Sequence, residues 1–270
     1  MYNYNDLKNK VAIISGAAGL LGSEFSKSLL QHGVTVIGLD NDKKGLSTLN
    51  NEINKKFKKI NFVTYNCDLT NEKQIKIIIK KIALKFKKID ILINNAGSKS
   101  SNLSDFYEKF ENYKMKTWKD VMDVNLNSVF LLSQIVSKYM IKNKNGSIIQ
   151  IGSIQGILGN DGRIYKGSKL FGKKISSPAV YSASKAAVIG FSRYLATYLA
   201  KHNIRVNSIS PGGVENQHNK TFLKNYSYKV PLSRMANKQE IASAILFLSS
   251  KESSYITGQN IVVDGGYSIW

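Results

Sequence analysis

The stretch Val11-Ala12-Ile13-Ile14-Ser15-Gly16-Ala17-Ala18-Gly19-Leu20-Leu21-Gly22 decides the fold of this chain. Its first part, Val11 to Ser15, is a continuous apolar run, the pattern of a strand buried on both faces. A glycine-rich turn follows, and then a helical pattern that lasts to Gln31. Strand, glycine turn and helix in that order make a glycine pattern a candidate dinucleotide site. Glycine allows a tight turn and close approach of the backbone to a pyrophosphate. The helix N-terminus adds free N–H groups and the positive end of a dipole. Lys8 and Lys10 ahead of the apolar run Val11 to Leu21 loosely imitate a signal peptide. A buried first strand running into a turn explains the same residues better.

Outward from this stretch, a second strand spans Thr35 to Leu39 and ends at Asp40, 18 positions after Gly22. A carboxylate near that distance accepts hydrogen bonds from the adenosine ribose hydroxyls and repels a 2′-phosphate. NAD(H) is therefore favoured over NADP(H). A polar helix over 41–58 and a strand over 61–65 lead to Cys67-Asp68-Leu69. A helix over 71–86 and a strand over 89–93 lead to Asn94-Asn95-Ala96-Gly97. Segment 98–117 is polar and reads as surface, and helical spacing follows over 118–140 with Asn125 inside. Strand 146–151 ends at Gly152-Ser153. A helix running to about Lys201 precedes strand 204–209, which ends at Pro211-Gly212-Gly213. A polar, aromatic segment over 214–235 reads as a lid, before helix 238–248 and strand 260–263. Alternating strands and helices of this length mean an α/β fold: one Rossmann-type domain over 1–270, a doubly wound parallel sheet with helices on both faces. Ligands of such sheets bind beyond the carboxyl ends of the strands. Gly16, Asp40, Asp68 and Asn95 all fall there.

Composition narrows the function. The 270 residues are 43% hydrophobic, enough for a sizeable core. The single cysteine excludes an intrachain disulfide and fits a reducing, cytoplasmic setting. No run approaches a membrane span. The net charge of +21 raises nucleic acid as a partner. Yet only four basic residues are arginine (Arg163, Arg193, Arg205, Arg234), and the lysines spread along the whole chain. Arginine is the preferred residue for bidentate phosphate recognition. The charge therefore reads as a solvated surface, without specific nucleic-acid binding, membrane insertion or a metal site.

The chemistry falls on Tyr181-Ser182-Ala183-Ser184-Lys185. Residues four apart share one face of a helix. A phenol titrates near ~10, too high for efficient proton transfer at neutral pH, and a nearby ammonium lowers that value.

Together, the glycine turn at 15–22, Asp40, Asp68, Asn94-Asn95-Ala96-Gly97, Asn125, Ser153, Tyr181/Lys185 and Pro211-Gly212 resemble the short-chain dehydrogenase/reductase family over essentially the whole chain. The resemblance implies four catalytic residues. Tyr181 exchanges the proton, and Lys185 lowers its pKa and holds the nicotinamide ribose. Ser153 orients the substrate oxygen, and Asn125 supports a water chain. It implies cofactor contacts from Ser15, Gly16, Gly19, Leu20, Leu21 and Gly22, from Asp40, and from Asp68 and Leu69. Further contacts fall to Asn95, Ala96 and Gly97, to Tyr181 and Lys185, and to Pro211, Gly212 and Val214. The turn departs from the family pattern, because Leu20 stands where the middle glycine belongs and Gly19 comes one place early. That spacing resembles the extended branch of the family.

A second Tyr-x-x-x-Lys match, Tyr165 to Lys169, lies 12 residues after Ser153, near the family's usual separation; Tyr181 lies 28 after it. Gly167 weakens a helix around Tyr165, whereas Ala183 to Lys201 is a good helix leading into the next strand. Tyr181 is therefore the expected catalytic residue, and 157–177 an insertion. Its cations Arg163, Lys166, Lys169, Lys173 and Lys174 suggest a clamp for a phosphate- or carboxylate-bearing substrate, with Gln155 beside it.

The leading expectation is an NAD(H)-dependent oxidoreductase interconverting a secondary alcohol and a ketone. Segments 177–181, 204–214 and 231–236 are similar to oxidoreductases of bacterial surface-sugar and nonulosonic-acid biosynthesis, which suggests a sugar or sugar-nucleotide substrate. Reduction of a 3-oxoacyl thioester is the alternative of the same class. A non-catalytic dinucleotide sensor is the alternative of another class. The resemblance also implies a homo-oligomer, a tetramer or dimer, and the apolar end Tyr267-Ser268-Ile269-Trp270 points the same way.

Overall fold

The computed structural model describes residues 4–57, 61–100, 102–170, 173–174 and 177–270. Seven strands form the main sheet: β1 (Val11–Ser15), β2 (Thr35–Asp40), β3 (Phe62–Asn66), β4 (Ile91–Asn94), β5 (Gly146–Ile151), β8 (Ile204–Pro211) and β9 (Asn260–Val263). Two further strands, β6 (Lys169–Leu170) and β7 (Lys173–Lys174), pair as an antiparallel hairpin. The main sheet runs in the order β3-β2-β1-β4-β5-β8-β9, with every pair parallel. The order reverses between β1 and β4, and in open α/β sheets a crevice for ligands opens at such a switch point.

The helices are α1 (Leu20–Gln31), α2 (Lys43–Lys56), α3 (Glu72–Phe86), α4 (Leu103–Phe106), α5 (Met115–Met122), α6 (Ser128–Asn143), α7 (Ala179–Leu199), α8 (Lys220–Tyr228) and α9 (Lys238–Ser249). No described helix is long and apolar enough to cross a membrane. Side-chain alternation along the strands divides the core. Ala12, Ile14, Val36, Ile91 and Ile93 pack with α1, α2 and α9. Val11, Ile13, Ile37 and Leu92 pack with α3, α6 and α7.

Local chemistry sets the helix limits. Asp42 caps α2 by accepting from Gly45 N, so the helix starts at Lys43 rather than Asn41. It stops at Lys56, and Lys58, the expected end, lies outside the described residues. Asn71 caps α3 through Gln74 N. The helical run expected over 118–140 is two helices joined by a wider turn, Asp123–Asn127. Segment 98–117 is not wholly surface: Phe106 on α4 is buried with Val121 and Val180, and Tyr107, Tyr113 and Trp118 pack around them.

The segments expected as insertion and lid share a small core of their own. Ile154, Ile164, Tyr226, Val230 and Met235 are buried together, with Tyr165, Phe222 and Tyr267 against them. Residues 162–165 form a 3-10 turn, and α8 crosses the lid.

Candidate active site

The carboxyl ends of the strands open on a cavity of about 710 Å³. Its floor is the turn after β1. Gly16 sits at φ +64°, and a Cβ there would come within 2.8 Å of Ala96 Cα. A Cβ on Gly22 would lie 2.0 Å from Gly16 O. The two glycines thus let α1 press its first turn onto the strand end. Gly19 is under no such demand, since its nearest contact would be 3.4 Å away. It serves as the N-cap of α1 and offers no side-chain acceptor, so the first-turn N–H groups have no cap of their own. Leu20 occupies the first helical position and lines the cavity without disturbing this geometry.

Polar groups brace the turn from three sides. Ser15 Oγ accepts from Asn95 N at 3.0 Å and Ala96 N at 3.1 Å. Asn95 Nδ2 donates to Ser15 O at 3.1 Å and Gly16 O at 3.0 Å. Asp40 accepts from Ala18 N at 2.9 Å and from Asp42 N at 3.0 Å. Its carboxylate lines the cavity with Asp42 and Asp68. Asp68 itself accepts from Thr70 N and Oγ1 at 2.9 and 2.7 Å. An uncapped helix N-terminus, glycines that a Cβ would block, and carboxylates at the ends of β2 and β3 together fit a dinucleotide: pyrophosphate over α1, ribose hydroxyls toward Asp40. Leu69, Ala96, Gly97, Pro211, Gly212 and Val214 also line this cavity.

At the other end stand Ser153, Tyr181 and Lys185. Tyr181 and Lys185 lie one turn apart on α7, while Ser153 follows β5. Ser153 is buried, accepts from Gln155 N at 3.2 Å and hydrogen-bonds with the Tyr181 hydroxyl. Burial pushes the Tyr181 phenol up, and the Ser153 contact opposes it. Lys185 is buried, and its Nζ donates to Ile151 O at 2.7 Å. It lies 5.8 Å from the centre of the Tyr181 ring. Burial pulls its pKa down to about 8. The ammonium is therefore turned toward the end of β5, and Ser153 is the hydrogen-bond partner of the phenol.

Asn125 is fully buried in the wide turn between α5 and α6. Its Oδ1 accepts from Ser98 N at 2.8 Å, and its Nδ2 donates to Ser184 Oγ at 3.3 Å. Ser184 Oγ in turn donates to Tyr181 O at 3.0 Å. One asparagine thus ties the loop after β4 to the backbone of α7. Wide helical turns occur mostly at functional sites, and a helix-interior asparagine was the only sign of this one in the sequence.

Tyr165 and Lys169 do not share a helix face: Tyr165 ends the 3-10 turn and Lys169 begins β6. The Tyr165 hydroxyl hydrogen-bonds with Gln155 and Ser177, and Ser177 Oγ donates to Gln155 Oε1 at 3.0 Å. Its ring stacks on Phe222 of the lid, 5.5 Å between centroids. The cations of the expected clamp are not brought to the cavity. Arg163 pairs with Asp161 through Nε at 2.9 Å and Nη2 at 3.0 Å, and Lys229 joins the same carboxylate. Lys166 and Lys169 are exposed, and the side chains of Lys173 and Lys174 lie outside the described residues. Instead the structure brings Lys99, Asn216 and His218 to the cavity wall. Sequence reasoning passed over these three; their one signal was position, just beyond the ends of β4 and β8.

A family model described as "Enoyl-(Acyl carrier protein) reductase" matches residues 16–268. The chain belongs to the short-chain dehydrogenase/reductase family. It is 38% identical to a 3-oxoacyl-[acyl-carrier-protein] reductase FabG of Buchnera aphidicola (subsp. Schizaphis graminum), covering 96% of this chain and 98% of that one. It is 37% identical to the FabG of Thermotoga maritima, covering 97% and 99%. Among solved structures, a short chain dehydrogenase from Leptospira borgpetersenii with bound NAD+ superposes with a TM-score of 0.86 at 36% identity, covering 100% of this chain and 97% of that one. As a member of this family the chain is an NAD(P)-dependent oxidoreductase acting on CH–OH groups.

Proposed function

We propose that the chain interconverts a ketone and a secondary alcohol with NAD(H), using Tyr181 as proton donor and acceptor. The observation that carries this reading is the Tyr181–Ser153 hydrogen bond beside a buried Lys185, all facing the dinucleotide cleft. The cofactor, when bound, supplies hydride to carbon. The chain's own residues handle the oxygen. Ser153 Oγ and the Tyr181 hydroxyl hold the carbonyl oxygen between them, and Tyr181 delivers its proton there as the alcohol forms. Lys185, with a pKa near 8, exchanges a proton close to neutrality and turns from Ile151 O toward the ribose. Asn125 keeps α7 and the loop after β4 in register. Asp40 selects NAD(H), because its carboxylate suits ribose hydroxyls and repels a 2′-phosphate.

The substrate class best supported by the curated relatives is a 3-oxoacyl thioester. A sugar or sugar-nucleotide ketone is the second reading. It is favoured by the polar group Tyr165, Gln155 and Ser177 beside Tyr181, where an acyl chain would want apolar contacts. NADH absorbance, followed with acetoacetyl-coenzyme A and with a panel of keto-sugars, separates the two. Turnover of the thioester alone supports the first, turnover of a keto-sugar alone the second, and turnover of neither ketone class overturns the carbonyl assignment. The domain is proposed to be single and the assembly a homo-oligomer. In support of association, Ile269 and Trp270 are 83% and 75% exposed at the end of the chain. A monomeric mass in light scattering would refute it.

A further inference from the structure

The cavity is electrically divided along the sheet. Beyond β3 and β2 its walls carry Asp68, Asp40 and Asp42. Beyond β4, β5 and β8 they carry Lys99, Lys185 and His218. The acidic half matches the hydroxyls of an adenosine ribose, and Lys185 belongs to the proton chemistry. Lys99 and His218 have no part in either.

Lys99 is exposed in the loop after β4 and forms no ion pair among the described residues. His218 stands in the lid, directly before Asn219, the cap of α8. Asn216 N donates to His218 Nδ1 at 3.3 Å, so the ring proton is on Nε2. The ring packs on Phe222, 5.2 Å between centroids. Burial and the Lys99 ammonium hold the imidazole below its usual range, against the pull of Glu215. Two donors, an ammonium and an N–H, thus reach one cavity from two separate loops, and they repel each other when the imidazole is charged.

We propose that Lys99 and His218 together receive an anionic oxygen group of the substrate, a phosphate or a carboxylate. The proposal rests on the reading of the cavity as a carbonyl oxidoreductase site. An anion between the two side chains accepts from both and relieves their repulsion. The three carboxylates at the opposite end disfavour the same substrate bound the wrong way round. The insertion cations contribute nothing here, since Arg163 is held by Asp161 and Lys166 and Lys169 do not line the cavity.

The test has two steps. NADH is first titrated into the whole chain by calorimetry, and the loaded protein is then titrated with inorganic phosphate. Loading occupies the pyrophosphate subsite, so the second step reads the substrate side alone. Phosphate should bind the loaded wild type, and Lys99→Ala and His218→Leu should each weaken it by about tenfold or more. Their NADH affinity should stay within about twofold of wild type. Lys142→Ala, which removes an equal charge from the exposed end of α6, should leave phosphate binding unchanged. No phosphate binding to the loaded wild type, or equal binding by all variants, overturns the proposal. So does a Lys99→Ala protein that loses NADH instead, because the pair would then serve the cofactor's own phosphates. Failure of NADH to bind in the first step sinks the functional reading and this inference with it. NADH binding without phosphate binding sinks the inference alone.

Discussion

The cofactor cleft and the insertion–lid flank are built by different means. The cleft is backbone chemistry: Gly16 and Gly22 permit close approach, and Ser15, Asn95 and Asp40 bond to main-chain groups. The flank is side-chain chemistry. Tyr165 stacks on Phe222, and Tyr226 stacks on Tyr267, 5.1 Å between centroids. Asn225 Nδ2 fastens the lid to the insertion through Lys166 O at 2.8 Å, and the Tyr226 hydroxyl accepts from Gly213 N. A backbone cradle suits a ligand shared by many enzymes, whereas a side-chain wall can be exchanged without touching the sheet. The cleft should thus fix the reaction and the flank should tune the substrate. Each substitution below loads one side of that division.

The largest effect belongs to the reacting end of the cleft. Tyr181→Phe keeps the ring and its packing and removes the hydroxyl that meets Ser153. Turnover should fall by ~10²–10⁴-fold. NADH affinity, measured by fluorescence titration, should hold. Retention of turnover would move the chemistry off α7.

Next comes Asp40→Ser. Hydrogen bonds to a charged group are worth ~1.5–3 kcal/mol, so NADH should bind roughly 10–100-fold more weakly while NADPH gains. A wild-type protein that already binds NADPH more tightly than NADH would break the assignment. Because Asp40 also holds Ala18 N and Asp42 N, some loss of thermal stability should accompany the switch.

The two regions also differed in how far the sequence disclosed them. The cleft is local. Val11 to Gly22, Thr35 to Asp40 and Asn94 to Gly97 each carry their strand and its terminal turn in one stretch, so hydrophobic runs and glycines placed them. Even there, the direction of Lys185 Nζ toward Ile151 O was hidden, because a four-residue spacing says nothing about where a flexible side chain turns. The flank is non-local: Ser168 Oγ meets Asn219 Oδ1 across 51 residues, and Tyr226 meets Tyr267 across the last helix and strand. No periodicity encodes such pairs. For the same reason the cations of 157–177 looked like a clamp, although Asp161, two residues away, engages Arg163. Lys99 and His218, 119 positions apart, meet only in the folded cavity.

Tyr165→Phe probes the flank itself. The ring and its stack on Phe222 remain, as does the Ser177–Gln155 bond, while the hydroxyl contacts to both are lost. Stability should fall by ~0.5–1.5 kcal/mol. The Michaelis constant should rise several-fold with kcat nearly unchanged, the sign of lost uniform binding. A kcat loss as deep as that of Tyr181→Phe would erase the boundary between the two regions.

The smallest expected effect is the sharpest test of what the insertion is for. Arg163 is 83% exposed at its side chain, and Asp161 beside it is 17% exposed. Removing the guanidinium leaves that carboxylate with Lys229, so no buried charge is orphaned. Asp161 also keeps its other task, accepting from Arg163 N at 3.0 Å, a backbone bond that survives truncation to alanine. Exposed ion pairs contribute ~0–1 kcal/mol, so Arg163→Ala should shift the denaturation midpoint barely at all. If the insertion acts as a brace for the lid, both kcat and the Michaelis constant of an anionic ketone should stay within about twofold of wild type, a difference of under ~0.5 kcal/mol. If it acts as a clamp, one lost bidentate contact to an anion should raise that Michaelis constant by tenfold or more, since charge-assisted pairs are worth ~1.5–3 kcal/mol. Steady-state kinetics at two ionic strengths decides the matter, because a true anion contact at this exposed site would also weaken with added salt.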